Sequence, residues 1–175
     1  MTEITIRDAV PADIPTLHAL IESAYRGESS RAGWTTEADL LDGQRTDPDD
    51  LASILDDPEQ ALLTAWRDSA LVGCVLIADR GEGTGYFGML SISPTLQGAG
   101  LGRRMVEAAH AALAARFGAR QVRISVLPQR ETLIAWYERL GYRRTGETLP
   151  FPYGNPRFGL PLRDDLYFIV MQRPL

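Results

Sequence analysis

The chain has 175 residues, of which 45% are hydrophobic and 23% charged, with a formal net charge of −5. This composition fits one globular domain with a sizeable core, and the negative charge argues against nonspecific binding to nucleic acid or to a membrane surface. No apolar run approaches the length of a membrane span and no signal-peptide pattern opens the chain, so we expect a cytoplasmic protein. A single cysteine and two histidines argue against a disulfide and against a protein-built zinc site.

The charges are unevenly distributed along the chain. Between Glu37 and Glu59 there are nine acids and one base, whereas between Arg103 and Arg144 there are nine arginines and three glutamates. We expect the first region to favour cations and the second to favour anions. The alternative for both is a solvated surface.

The first sixty residues predict one strand and three helices. Residues 2–7 alternate like a strand, and residues 11–25 have the periodicity of a helix capped by Asp13. The spacing of Thr36 and Asp39 resembles a capping box, so a short helix is expected over 36–43. A second short helix is expected from about Asp49 to the residue before Pro58.

The rest of the chain predicts a sheet with two further helices. Three closely spaced strands over 61–66, 70–78 and 85–92 indicate an antiparallel meander. The later elements are a helix from Gly100 to Gly118, a strand over 121–127, a helix over 131–140, and strands over 142–147 and 166–171. The proline-rich loop 148–165 is either functional or a rigid surface loop.

Two glycine motifs differ in their context. Residues 83–88 spell G-x-G-x-x-G, but they lie between two strands with no helix after them, so we interpret them as a hairpin turn. Residues 97–102 instead join a strand ending at Ile92 to a helix, whose first N–H groups lack intrahelical partners and attract anions. Arg103 occupies the third-glycine position of a dinucleotide motif and the chain has no lysine, so neither common nucleotide class fits. A glycine turn without a ligand is the remaining alternative.

Two linked motifs carry a resemblance to a known family. Leu90-Ser91-Ile92-Ser93-Pro94 and then Gln97-Gly98-Ala99-Gly100-Leu101-Gly102 resemble the coenzyme A loop, Q/R-x-x-G-x-G/A, of the GCN5-related N-acetyltransferase (GNAT) superfamily. Residues 135–142, AWYERLGY, resemble its second signature, an aromatic-Tyr pair on a helix that ends at a Gly-aromatic step. Arg130 departs from the pattern, because many members carry there an asparagine that contacts the coenzyme.

The resemblance implies a single α/β domain over 1–175. Its mostly antiparallel, twisted sheet would have about seven strands flanked by helices and would be splayed between the strands ending at Ile92 and Leu127, with coenzyme A in the opening. The implied reaction is transfer of an acetyl group from acetyl-CoA, a co-substrate, to a primary amine by direct attack, without a metal. The implied cofactor-binding residues are Leu90, Ile92, Gln97, Gly98, Ala99, Gly100, Leu101, Gly102 and Arg103. The N–H groups of 98–103 would bind the pyrophosphate, and the backbone around Leu90 and Ile92 would pair with the pantetheine arm.

Tyr137 is the implied catalytic residue, at the sulfur of the thioester. The reference pKa of tyrosine is about 10 and that of a thiol about 8.5, so full proton transfer to the thiolate is uphill by roughly 2 kcal/mol. A hydrogen bond to the developing thiolate is therefore the expected role. The alternative is a core aromatic, since Tyr137 shares a helix face with Leu133 and Leu140.

The sequence says less about the residues that bind the amine acceptor than about those that bind the coenzyme. Candidate acceptor residues are Tyr25, Arg31, Trp34 and Glu37, with Tyr153 and Arg157 from the proline-rich loop. The general base is not readable from the sequence, and its candidates are Glu22, Glu28 and Glu37. The acidic segment 37–59 favours a cationic acceptor such as a polyamine, an amino sugar or a basic peptide.

The remaining expectations concern partners and rival functions. The acceptor is expected to be a small-molecule or peptide amine, a homodimer is allowed for, and neither nucleic acid nor membrane is expected to bind. The main rival function is a non-catalytic module that binds or senses acyl-CoA, and a nicotinamide or ATP enzyme is a weaker third. We assign no chemistry to His18, His110 or Cys74. His18 is expected to be half-exposed, His110 to be solvated, and Cys74 to lie in the core.

Overall fold

A computed structural model describes residues 3–31, 33 and 36–175, apart from the side chains of 28 and 29. The strands are β1 Ile4–Asp8, β2 Leu41–Asp42, β3 Gln60–Arg67, β4 Ala70–Asp79, β5 Thr84–Ile92, β6 Gln121–Val126, β7 Arg143–Pro150, β8 Leu160–Pro161 and β9 Tyr167–Pro174. The α-helices are α1 Ile14–Tyr25, α2 Gly27–Ser30, α3 Pro48–Asp56, α4 Leu101–Phe117 and α5 Glu131–Arg139. No helix in these ranges is long and apolar enough to cross a membrane.

Seven strands form one sheet in the order β1-β3-β4-β5-β6-β9-β7. The pairings are antiparallel except that of β5 with β6, which is parallel and is limited to residues 84–86 and 121–123. Beyond Tyr86 the two strands diverge and leave an opening in the sheet. The predicted fold class is therefore confirmed, including the splay between the strands that end near Ile92 and Leu127.

An irregularity in β5 accompanies this divergence. Met89 has a φ of 51°, and the register of β5 on β4 shifts between Cys74 and Leu76. A bulge of this kind bends its strand and re-aims the side chains beyond it. The end of β5 therefore borders the opening instead of pairing with β6.

The sheet is buried on both faces. Along β4, Val75 and Ile77 pack with α4 and α5 on one face, while Cys74 and Leu76 pack with α1 and α3 on the other. Alternation of this kind follows from the two-residue period of a strand. Cys74 is fully buried, as expected from the sequence.

The predicted helix over 36–43 is wrong. Residues 38–40 form a turn, and Leu41–Asp42 pair instead with Leu160–Pro161 of the proline-rich loop. The Thr36 hydroxyl accepts a hydrogen bond from Ala38 N, two residues on, and thus stabilises a turn. The proline-rich loop is anchored through this two-stranded pairing.

Asp13 is not the predicted side-chain cap of α1. Its carboxylate accepts hydrogen bonds from Arg7 and from the backbone N–H of Val10, while residues 11–13 form a 3₁₀ turn. The α-helix begins after that turn, at Ile14. The carboxylate therefore ties the end of β1 to the start of the helical segment.

His110 is also not solvated as predicted. Its Nε2 lies 2.6 Å from the Tyr142 hydroxyl, and its ring packs against Phe87. Burial, and then the charge of Arg173, lowers the pKa of His110 to about 4. The neutral imidazole is thus a structural hydrogen-bonding partner in the α4 layer.

Replacing His110 by glutamine should reduce the loss in unfolding free energy that occurs when the pH is lowered. In the unfolded chain His110 is protonated below about pH 6.5, whereas in the folded protein it is protonated only near pH 4. Because the unfolded state binds the proton more readily between these values, the free energy of unfolding should fall by roughly 1–2 kcal/mol, after allowance for the partial exposure of His110. Urea unfolding at pH 7, 6, 5 and 4.5 measures this slope. An unchanged slope in the variant would contradict the assignment.

Candidate active site

Two adjoining cavities lie in the opening between β5 and β6. The first, of about 240 Å³, faces the glycine loop and is called the loop cavity; the second, of about 270 Å³, is called the aromatic cavity. Five residues line both: Tyr25, Leu90, Arg130, Leu133 and Tyr137. The two cavities therefore meet at a junction that contains two tyrosines.

The loop cavity brings together most of the predicted cofactor-binding residues. Its remaining lining consists of Ile92, Gln97, Gly98, Gly100, Gly102, Arg103 and Trp136. Of the nine predicted residues, only Ala99 and Leu101 are not in the lining. Ala99 is exposed, and the Leu101 side chain packs in the core.

The loop backbone has the form of an anion cradle. Gly98 and Gly100 have φ values of 89° and 82°, and a Cβ at either would meet nothing within 4 Å. A helical hydrogen bond runs from Arg104 N to Gly100 O at 3.2 Å, so the N–H groups of residues 101–103 precede the helical ladder. These residues thus fit a pyrophosphate group lying against the helix start.

The side chain of Gln97 fixes the loop. It donates to Ile92 O at 3.2 Å and also lies close to Gly33, where an added Cβ would clash with the Gln97 amide. The amide group therefore ties the glycine loop to the end of β5 and leaves no room for a side chain at residue 33.

The aromatic cavity combines a largely apolar wall with a group of charges. Its apolar lining includes Phe87, Met89, Leu127, Phe151, Phe158 and Phe168. Phe151 and Phe158 come from the proline-rich loop, which therefore takes part in the site. The charged lining residues are Arg26, Glu37, Arg45 and Arg130.

Glu37 is the centre of a buried ion-pair network. Its carboxylate lies 2.6 Å from Arg26 Nη1 and 3.1 Å from Arg130 Nη1. Burial alone would raise the pKa of Glu37, but the guanidinium groups of Arg130 and Arg26 outweigh burial and hold this pKa below its ordinary value. Glu37 is therefore a paired carboxylate, which weakens its candidacy as the general base.

Tyr25 lies at the junction of the cavities. Its hydroxyl donates a hydrogen bond to Leu90 O, and the guanidinium groups of Arg45 and Arg130 lie 5.4 and 5.6 Å from its ring centre. Burial raises the pKa of Tyr25 to about 12, although both arginines oppose the shift. The phenol therefore stays protonated and connects β5 to the arginines of the aromatic cavity.

Tyr137 lies both in the aromatic core and at the junction of the two cavities. Its ring packs against Phe87, Trp136 and Tyr142 in the core, and the residue also lines both cavities. Burial raises the pKa of Tyr137 well above its ordinary value. Within the described part of the chain its hydroxyl has no hydrogen-bonding partner, so it can donate to a group in the cleft.

The other acceptor candidates that the structure describes do not line the aromatic cavity. Arg31 is exposed and pairs with Asp39 at 2.8 Å, and Trp34 lies outside the described residues. Arg157 pairs with Asp47 at 3.2 Å, while the Tyr153 hydroxyl bonds to the backbone of 163 and 166. Tyr153 and Arg157 therefore hold the proline-rich loop in place rather than line the aromatic cavity.

The two remaining base candidates add little. Glu22 accepts hydrogen bonds from the N–H groups of Arg45 and Thr46 at 2.7 and 2.9 Å, and the side chain of Glu28 lies outside the described residues.

Arg26 and Arg45 were not identified as lining residues from the sequence, because no local motif marks either of them. No group of three or more His, Cys, Asp or Glu side chains in the described ranges is placed to hold a metal ion.

Comparison with solved structures gives the same fold. The ribosomal-protein-S18-alanine N-acetyltransferase of Escherichia coli aligns over 98% of this chain and 94% of its own, with a TM-score of 0.71 and 16% identity. YncA of Salmonella typhimurium, solved with its cofactor acetyl-CoA, aligns over 98% and 94% with a TM-score of 0.70 and 21% identity. An acetyltransferase of Thermus thermophilus aligns over 100% of both chains with a TM-score of 0.69 and 20% identity.

Comparison with sequences gives a family. Curated proteins give no match. The model of the acetyltransferase (GNAT) family, however, matches residues 17–142, which include both motifs and all five residues that line both cavities. The chain therefore belongs to the acetyltransferase (GNAT) family and is an acetyl-CoA-dependent N-acetyltransferase.

Proposed function

We propose that this enzyme acetylates a primary amine by direct attack, with acetyl-CoA in the loop cavity and the amine in the aromatic cavity. The meeting of the two cavities at Tyr25, Leu90 and Tyr137 carries the proposal, because it lets two substrates approach from opposite sides. The amine nitrogen forms a bond to the thioester carbonyl carbon. The carbon–sulfur bond then breaks and the thiolate leaves, while the proton lost by the amine passes to water or to that thiolate, which leaves the amide and coenzyme A.

The chain's own residues would bind and orient the coenzyme. The N–H groups of 98–103 would bind the pyrophosphate, and the backbone from Leu90 to Ile92 would pair with the pantetheine arm. An N–H group on this part of β5 could also face the thioester oxygen and stabilise its developing charge. The limited pairing of β5 with β6 supports this arrangement, since the end of β5 borders the loop cavity.

Thiol release over a panel of amines tests the proposed reaction. Calorimetry with acetyl-CoA comes first, followed by detection of free coenzyme A thiol with amino acids, amino sugars, polyamines and peptides. Binding without release on any amine would favour the sensing module. Spermidine represents the cationic acceptor expected from segment 37–59, although Glu37 is the one acid of that segment in the described lining of the aromatic cavity.

Replacing Gly98 by alanine should weaken acetyl-CoA binding about ten-fold. The methyl group would occupy the open space beside the loop, and a lost charge-assisted hydrogen bond is worth about 1.5–3 kcal/mol. Gly81→Ala is the matched control, because Gly81 has a φ of 80° and equally open surroundings but lies in a remote turn. Both variants should lose similar stability, whereas only Gly98→Ala should change the Kd. Equal Kd values in the two variants would contradict the role of the loop.

A further inference from the structure

The charged lining of the aromatic cavity is predominantly positive. Within the described residues, the lining contains the guanidinium groups of Arg26, Arg45 and Arg130 and one carboxylate, that of Glu37. Such a lining disfavours a cationic ligand and favours an anionic one. The cavity thus differs in sign from the acidic sequence segment that borders it.

One of these arginines retains capacity for a further partner. Arg26 is 4% exposed and already binds Glu37 and the carbonyl oxygen of Phe158, and its remaining Nε–H is buried out of reach of a ligand in the cavity. Arg45 lies over the Tyr25 ring and makes no ion pair with a described carboxylate. Arg45 is half-buried, and the planar N–H groups of a guanidinium match the geometry of a carboxylate.

The rest of the lining indicates what accompanies the anionic group. Phenylalanines 87, 151, 158 and 168 form an apolar wall, and a volume of about 270 Å³ accommodates a small molecule. The reacting amine must point towards Tyr137, where the cavities meet. An amine, a carboxylate and an apolar side chain on one small molecule satisfy all three regions.

We propose that the acceptor is a small primary amine of amino-acid type, whose carboxylate is bound by Arg45 close to the positive charges of Arg26 and Arg130, and whose apolar side chain lies against the phenylalanines. This inference rests on the proposed function, because it names the substrate class of the same site. Arg45 is the discriminating residue, since Arg26 and Arg130 are already bound to Glu37.

Matched acceptor pairs test the inference. Leucine, methionine and phenylalanine are compared with their carboxamides, which keep the amine and the side chain but lack the negative charge. For the best side chain, kcat/KM should be at least ten-fold higher for the acid than for the amide, and spermidine should be poorer than both. Equal or higher activity with all three amides would overturn the proposal.

Arg45→Gln is the informative variant, because it removes a charge that no described carboxylate pairs with. It should reduce the acid-to-amide ratio five-fold or more, because kcat/KM should fall much further for the acid than for the amide. Arg143→Gln makes the same substitution at an exposed position on the edge strand β7, outside both cavities, and should leave the ratio unchanged. An unchanged ratio in Arg45→Gln would remove Arg45 from the site.

A ligand without an amine separates this inference from the proposed function. Calorimetry measures binding of 3-phenylpropionate and of 3-phenylpropionamide to the protein saturated with coenzyme A. Binding of the acid alone, without acetylation of any amine, would uphold the anion site and refute the transfer reaction. Acetylation without an acid preference and without binding of 3-phenylpropionate would uphold the transfer and refute the anion site. If no amine is acetylated and 3-phenylpropionate does not bind, both the transfer reaction and the anion site are overturned.

Discussion

Replacing Tyr137 by phenylalanine should lower kcat ten-fold or more and leave the Kd for acetyl-CoA nearly unchanged. The variant keeps the ring that packs against Phe87 and Tyr142, so it removes only the hydroxyl at the junction of the cavities. If this hydroxyl donates to the developing thiolate, its loss destabilises the transition state more than the bound substrate.

The raised pKa of Tyr137 defines this role more closely. Because burial moves the pKa of the phenol further above that of a thiol, full proton transfer to the thiolate is less favourable than in water. Tyr137 should therefore donate a hydrogen bond while it remains protonated. The pH profile of kcat should then show no alkaline limb from Tyr137 below about pH 10.

Tyr142→Phe is the matched control for Tyr137→Phe. Tyr142 belongs to the same aromatic cluster, with its ring centre 5.6 Å from that of Tyr137, but its hydroxyl faces His110 and it lines neither cavity. This control should lose stability and retain kcat. Stopped-flow or steady-state thiol release measures kcat, and calorimetry measures the Kd. Equal kcat values in Tyr137→Phe and the wild type would remove Tyr137 from the mechanism.

The parts of the site that the sequence predicted are those fixed by local context. The glycine loop follows a strand and opens a helix, so its anion-binding geometry depends on neighbouring residues alone. The hairpin at 83–88 has a similar composition, but its context is strand to strand, and Gly83 contacts the Arg120 side chain rather than a cleft. The β3–β4–β5 meander was predicted to within a few residues for the same reason, since its strands and turns also depend on residues that are close in the sequence.

The parts that the sequence did not predict depend on distant contacts. Leu41–Asp42 becomes a strand because it meets Leu160–Pro161, which lies over a hundred residues further along the chain. His110 faces Tyr142, and Arg130 faces Glu37, through contacts that no periodicity encodes. Tertiary contacts thus outweigh the local capping signal at Thr36 and the polar character of His110.

In segment 37–59, the charge counted along the sequence differs from the charge that lines the neighbouring cavity. Its acids are largely engaged elsewhere: Asp47 caps α3 and pairs with Arg157, and Asp50 accepts a hydrogen bond from Thr46. The local charge in the aromatic cavity is instead set by Arg26, Arg45 and Arg130, which lie far apart in the sequence. Charge must therefore be counted over the lining of a cavity, not over a segment of sequence.

Replacing Glu37 by glutamine should lower the free energy of unfolding by about 3–5 kcal/mol at pH 7. The substitution leaves the buried guanidinium groups of Arg26 and Arg130 without their shared carboxylate, and breaking a buried pair from one side is strongly destabilising. Glu147→Gln is the control, since Glu147 pairs with Arg123 at the surface, where an ion pair contributes about 0–1 kcal/mol. Urea unfolding measures both variants, and equal losses would contradict the network.

The pH dependence distinguishes loss of the charge from a mere packing defect. The folded pKa of Glu37 lies below its unfolded value of about 4.3, so its contribution is fully present above that pH and is lost as the pH falls through the folded pKa. The difference in unfolding free energy between wild type and Glu37→Gln should therefore stay constant from pH 7 to about 4.3 and shrink below it. Both proteins retain His110, so its slope between pH 6.5 and about 4 cancels in the difference. A difference that does not change with pH would instead assign the loss to packing, and the arginines would then not depend on the charge of Glu37.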